Sequence, residues 1–321
     1  MKKFLANKNA ERDILSWIFF IPFTAIAFYI FYLFAVNTSN DSVSYIELAK
    51  RLSGSSFSES LTKELKEPVY LYLYWLLSNT FTAFQAFFIA GFLAFLTKLI
   101  IFKRYQYYPY LCMIFYTLFF LNVHDANAIR LAAATSVILY MMIGIKNLST
   151  TKVIIFSLIA IMFHRTALVG LILVFIDRKY LAILLIYISS FLFVDALTSY
   201  QQLASLNRYA AITQSVGFTS PYFILHLGIA ILCLLNWSQF SEFQRRGALF
   251  IVMGICFFIF FQTNGDVPVR IREFGFIGII PLLFSSKIKL NVNMLLIIFL
   301  TLLMTSLNIY EQWTELISTQ I

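Results

Sequence analysis

Charge is scarce in this chain. Of its 321 residues, 12% are Asp, Glu, Lys or Arg and 60% are apolar, and the mean hydropathy is +0.82. No polar stretch is long enough to fold as a separate water-soluble domain. Only three cysteines occur, Cys112, Cys233 and Cys256. They stand far apart in apolar runs, without ligand spacing. That excludes a disulfide framework and a zinc motif and leaves them as small hydrophobes of core or lipid-facing surface. No P-loop, HExxH or nucleophile-elbow pattern is present, no internal repeat, and no low-complexity segment. The first apolar run, Ile14 to Val36, has no small-residue cleavage site and reads as a retained anchor rather than a signal peptide.

What the chain has instead is apolar runs, about ten of them on the scale of roughly 20 residues per spanning helix. The expected fold is an all-α integral membrane protein with about 10–11 transmembrane helices. It forms one polytopic domain over residues 1–321. The net charge of +9 does not indicate nucleic acid, because the basic residues lie in short clusters between apolar runs. That is the bias which sets membrane orientation. With Met1 to Asp13 inside, the first helix runs outward and residues 37–80 form the first external loop. Two juxtamembrane helices are expected there. Asp41 to Leu52 is amphipathic and capped by Asn40 or Asp41. Val69 to Leu77 carries Tyr70, Tyr72, Tyr74 and Trp75, rings that favour the interface. Phe81 to Phe102 returns, with Lys98, Lys103 and Arg104 marking its inner end. Tyr108 to Leu121 goes out and Ile129 to Ile145 comes back. Later runs alternate with inner clusters at Arg178-Lys179, Arg245-Arg246 and Lys287-Lys289, and with outer loops at residues 195–220 and 263–273. Under this topology fifteen of the 24 basic residues fall inside and eleven of the 15 acidic residues fall outside.

Val153 to Ile176 interrupts the pattern. His164 and Arg165 stand side by side near its middle, and an arginine in hydrocarbon costs roughly 2.5–3.5 kcal/mol even on the lenient insertion scale. A single helix would put Asp177-Arg178-Lys179 outside. Two half-helices of about 11 residues, each about 16 Å long, would form a broken, re-entrant pair. That alternative keeps every later basic cluster inside, so it is favoured.

Five polar constellations then share the outer side: Asp41 with Tyr45; Glu67 before Tyr70; His124-Asp125 with Arg130; His164-Arg165; and Asp266 with Arg270, Arg272 and Glu273. Plainer roles exist for each. Asp41 suits a helix cap, Glu67 a first-turn acid, Tyr70 an interfacial anchor, and Arg270 and Arg272 partners of Asp266 and Glu273. Arg130 sits near a helix start, where the dipole disfavours a cation, so a specific partner is expected. As a set, Arg130, Arg165, Arg270 and Arg272 suit a pyrophosphate, because each guanidinium offers a fixed fork of donors to phosphate oxygens. Asp41 or His164 suits a general base towards a sugar hydroxyl. Tyr45, Tyr70, Tyr107 and Tyr209 suit stacking on sugar faces, with Tyr45, Glu67, Tyr70 and Glu273 shaping the substrate site.

The order Asn40-Asp-Ser-Val-Ser-Tyr45, Glu67-Pro-Val-Tyr70, Ala128-Ile-Arg-Leu-Ala132, Phe163-His-Arg-Thr-Ala-Leu168 and Arg270-Ile-Arg-Glu-Phe-Gly275 resembles the EpsG family of exopolysaccharide polymerases, which are Wzy-like proteins. The resemblance spans about Asp41 to Pro281. The family pattern next to His164 has a small polar residue where this chain has Arg165. The resemblance implies a glycosyltransferase in the bacterial inner membrane, its active site facing outward. It would move a growing glycan from undecaprenyl pyrophosphate to the non-reducing end of a new lipid-linked unit. It implies no cofactor and demands no metal. Its partners would be the undecaprenyl-pyrophosphate-linked oligosaccharide, membrane lipids, and a chain-length regulator and flippase of the same pathway. The loop with Asp41 also looks like the GT-C type of membrane glycosyltransferase, which implies an alternative: transfer of one sugar from a polyprenyl-phosphate donor. A lipid-linked glycan flippase is the third reading, though the matching broken halves typical of transporters are missing.

Overall fold

A computed structural model of the chain describes residues 2–37, 40–64, 66–121, 125–126, 128–175, 218–261, 267–288 and 290–318. Among these, every regular element is helical. Among the described residues three helices are long and apolar enough to cross a membrane by length and composition: Trp17–Ala35, Ala83–Tyr105 and Val292–Glu311. Four shorter apolar helices accompany them: Pro109–Phe119, Ile129–Gly144, Thr150–Ile161 and Pro221–Leu235. The expected segments at residues 181–194 and the loop at 195–217, with Arg208 and Tyr209, lie outside the described residues.

Helix α1 (Lys2–Asn37) and helix α5 (Ala83–Tyr105) run antiparallel. Lys103 lies over the Trp17 ring at one end, and Phe28 and Phe31 interleave with Phe88 and Phe92 nearer the other. The opposite face of α1 stays bare: Phe19 and Ile21 are exposed, as a lipid-facing surface requires. Between α1 and α5 lie three short helices: α2 (Asn40–Leu52), α3 (Phe57–Lys63) and α4 (Pro68–Thr80). The amphipathic pattern of α2 and the aromatic α4 are where the sequence puts them. Helix α3 is additional, started by the Ser56 hydroxyl accepting from the Glu59 N–H. Helices α2 and α4 do not simply rest on a surface. Leu48, Ala49 and Leu52 are buried, and Tyr45 stacks on Phe87 of α5. Pro68 opens α4 at the position where a missing N–H costs nothing. Thr82 and Gln85 form a reciprocal capping box that starts α5.

Helix α6 (Pro109–Phe119) leads to α7 (Ile129–Leu139), which widens into a π turn at Tyr140–Gly144. Arg246, fully buried, donates to the carbonyls of Met141, Met142 and Ile145 at that turn's end and pairs with Glu242. The sequence reads Arg245-Arg246 as an inner loop. Instead Arg246 lies within a helix, and its donors satisfy carbonyls that a helix end leaves unpaired. Helix α8 (Thr150–Ile161) ends at Met162–His164, and the chain continues as a 3-10 helix over Arg165–Phe175. That 3-10 helix packs back along α8: a Cβ on Gly170 would meet Ser157. The helical run thus breaks at His164.

Helix α9 (Pro221–Leu235) and α13 (Val292–Ser318) pair along their length. Helix α10 (Glu242–Phe261) packs on α11 (Val267–Phe276) and α12 (Ile279–Phe284). Glycines make that contact. A Cβ on Gly254 would lie 3.0 Å from the Gly275 Cα, and one on Gly247 would run into the Gly278 carbonyl. Small residues of this kind let membrane helices meet backbone to backbone. Chain direction gathers Lys103, Ile145, Asn236 and Asn291 at one end of the bundle. Glu67, Arg130, His164, Tyr222, Arg272 and Glu311 collect at the other.

Candidate functional site: a carboxylate held by two arginines

Glu67 directly precedes Pro68, and its side chain makes no cap bond to α4. It is 7% exposed and turns to two other segments. Arg130, at the start of α7, donates from Nη1 to Oε2 at 2.7 Å. The Arg165 backbone N–H donates to Oε1 at 3.2 Å, and the Arg165 Nε lies 3.9 Å from the same oxygen. Arg130 Nε also donates to the Tyr45 hydroxyl at 3.4 Å, and its guanidinium stands over the Tyr70 ring at 5.8 Å. This is the specific partner that a cation near a helix start requires.

Three tyrosines form the wall. The Tyr70 ring stacks on Tyr74 at 5.3 Å, and Tyr74 donates its hydroxyl to the Tyr45 carbonyl at 2.8 Å. Tyr70 itself is buried, and its hydroxyl has no hydrogen-bond partner among the described residues. Its backbone N–H donates to the Met162 carbonyl at 3.3 Å, which fastens α4 to the turn after α8. At that turn His164 Nδ1 and the Thr166 hydroxyl are 2.8 Å apart. Burial alone would push the Glu67 carboxyl up, but Arg130 and His164 outweigh it and hold the group below the usual carboxylate range. The neighbouring Lys66 ammonium is lowered by burial and by Arg130.

The cations divide by exposure. The Arg130 side chain is 20% exposed and committed to Glu67 and Tyr45, whereas that of Arg165 is 77% exposed. Arg130 and Arg165 approach the Glu67 carboxylate, and Lys66 lies near enough to feel Arg130, Glu64 and Glu67. Lys66 drew no attention in the sequence. The signal for it was a basic residue on the side where the charge bias is acidic.

Not all expected members meet here. Asp125 does not pair with Arg130. It is wholly buried and accepts from Lys98 at 2.5 Å and from the Tyr116 hydroxyl at 2.6 Å. Lys98 is therefore no marker of a helix end: its long stem reaches back along α5 to the carboxylate. Arg272 and Glu273 line a different cavity, with Phe119, Phe120, Tyr222, Met304, Asn308 and Glu311. Arg272 is 4% exposed, sandwiched between Tyr222 and Phe258 at 5.6 and 5.4 Å. Tyr222, Asn308 and Glu311 were not singled out in the sequence, because helix-borne residues far apart in the chain give no local signal. His226, fully buried with its ring edge on Phe276, was likewise missed, although it is a lone histidine in an apolar run. Asp41 lies in α2 and Arg270 in α11, but their side chains, with His124 and Asp266, fall outside the described residues. Among the described residues no three metal-binding side chains gather.

A helical bundle with bare apolar faces and a charged, tyrosine-walled crevice at one end describes a membrane protein. The chain matches the EpsG family over residues 16–318 and belongs to it. That family is one of Wzy-like polysaccharide polymerases, which act on lipid-linked oligosaccharides. No curated protein and no solved structure matches the chain.

Proposed function

We propose that this chain extends a bacterial surface polysaccharide at the outer face of the inner membrane, with the Glu67 crevice as its reaction centre. It would do so within one polytopic domain, in which α8 and the 3-10 helix form a re-entrant pair. The donor is a growing glycan on undecaprenyl pyrophosphate and the acceptor the non-reducing end of a new lipid-linked unit. The acceptor O–H gives its proton to His164, and the oxygen forms a bond to C1 of the donor sugar. The C1–O bond to pyrophosphate breaks, and the leaving group departs with the electron pair. Glu67 is a poor base, since its carboxyl is held low by Arg130, so its role is to fix Arg130 and the Arg165 backbone. Arg165, mostly exposed, is the cation available to the departing pyrophosphate, where electrostatic stabilisation matters most.

The observation that carries this reading is the convergence of Tyr45, Glu67, Tyr70, Arg130, His164 and Arg165 from four separate segments on one crevice. Surface glycan from a strain lacking the gene tests it. Loss of polymer with single repeat units retained is expected, and His164→Ala restored on a plasmid should fail to recover chain length. General acid–base catalysis contributes about 10²–10⁴-fold, enough to abolish long chains. Loss of one side-branch sugar, or lipid-linked units stranded inside the cell, would overturn it.

A further inference from the structure

We infer that the cavity beside Arg272 is a subsite for an uncharged sugar ring of the glycan, chemically distinct from the anion-binding crevice at Glu67. The inference rests on the polymerase reading. Charge separates the two places. The crevice sets two arginines against the one carboxylate of Glu67. The cavity reverses this: among its described lining residues Arg272 brings one positive charge, and Glu273 and Glu311 bring two negative ones. Pyrophosphate entering it would meet two carboxylates for one guanidinium. The expectation that Arg272 shares one phosphate site with Arg130 therefore gives way to a different role.

The lining suits a neutral polyol. The cavity is about 70 Å³, room for part of one ring. Carboxylates accept from sugar hydroxyls, while a guanidinium and a phenol donate to ring and hydroxyl oxygens. Arg272 is the telling member. It is 4% exposed, yet its Nε and Nη1 find no acceptor among the described residues, and buried charged donors left unpaired are costly. A sugar hydroxyl oxygen can supply what is missing without adding charge. Phe119 and Phe120 offer apolar faces for the C–H side of a ring. Asn308 donates to the Phe119 carbonyl at 2.8 Å and holds that wall to α13. Phe120 lines the cavity and Arg130, ten residues on in the chain, belongs to the crevice.

The full-length protein in nanodiscs tests this by saturation-transfer NMR, with glucose, galactose, rhamnose and N-acetylglucosamine as probes. Inorganic pyrophosphate is followed in parallel by phosphorus line broadening. Glu311→Gln and Tyr222→Phe are both isosteric, and Glu311 is exposed, so the fold is not at stake. At least one sugar should receive saturation from the wild type and bind about tenfold more weakly to Glu311→Gln, the factor that loss of one charged hydrogen bond implies, and about fivefold more weakly to Tyr222→Phe, which loses a neutral one. Pyrophosphate broadening should not change. Sugar binding unaltered in both variants, or absent from the wild type, overturns the subsite. Stronger pyrophosphate broadening in Glu311→Gln overturns it too, because the cavity would then be an anion site. Glycan length in the deletion strain judges the polymerase reading separately: normal length there would sink that reading and leave the sugar-binding result to stand alone.

Discussion

Glu67 shows how one side chain can organise a site without performing the chemistry. Its two oxygens take one charged donor and one backbone N–H from segments 63 and 98 residues away. Glu67→Gln keeps the shape and removes the charge, leaving Arg130 against a neutral amide. A loss of about 2 kcal/mol is expected, the range for hydrogen bonds to charged groups, together with shortened glycan. The pH dependence has a definite sign. The carboxyl is held below its ordinary value of 4.5, so its contribution is fully present above that value. It is lost as pH falls through the lowered one. Thermal unfolding of wild type and Glu67→Gln should therefore differ at neutral pH and converge in acid. A gap that persisted at the most acid pH the protein survives would mean that the pairing contributes nothing. Arg130, His164 and Arg165 were legible because each is a charged or titratable group in or beside an apolar run that makes it expensive, and Tyr45, Glu67 and Tyr70 because they share the loop on the same side, whereas Lys66 was not. Their pairing was not, since spacing along a chain does not state which helices become neighbours.

At the level of elements, the Lys98–Asp125 pair makes the same point. Both side chains are fully buried, and Asp125 packs its backbone carbonyl against Gly91 of α5. The pair pins the segment before α7 and so sets where Arg130 begins. Removing one partner leaves an uncompensated buried charge, at a cost of about 3–5 kcal/mol. Lys98→Met or Asp125→Leu alone should fail to accumulate, and the double substitution should recover much of the yield, as read by detergent-extracted protein on a sizing column. Failure of the double variant to improve on either single one would contradict a pairwise role. The α10 contact is steric instead. Gly247→Val would force its branched side chain into the Gly278 carbonyl, so α12 must move. About 3 kcal/mol is expected, at the upper end for overpacking, with a lower thermal midpoint. The 3-10 geometry of Arg165–Phe175 was not legible, because a run apolar on every side carries no period from which to tell 3.0 from 3.6 residues per turn.

Over the whole molecule, two kinds of polar residue settle at opposite ends. Lys103, Arg245 and Lys287 mark one, and the crevice and the Arg272 cavity occupy the other. The alternation of apolar runs with basic clusters made this legible, because the charge bias reflects how segments are threaded through a membrane rather than how they pack. Short helices were harder to foresee. Runs of 11 to 15 residues such as α6, α7 and α9 find their length from partners that sequence does not name. The orientation proposed for the site has a direct test. Ser58, exposed on α3, and Ser238, exposed between α9 and α10, stand at opposite ends of the bundle. Each can be replaced by cysteine in a background where Cys112 and Cys233 are buried and Cys256 is partly so. A membrane-impermeant maleimide added to cells with a permeabilised outer layer should label Ser58→Cys at once. Ser238→Cys should label only after the inner membrane is opened. The reverse pattern would turn the crevice inward, where a lipid-linked unit already exported could not reach His164, and the polymerase mechanism would have to be abandoned.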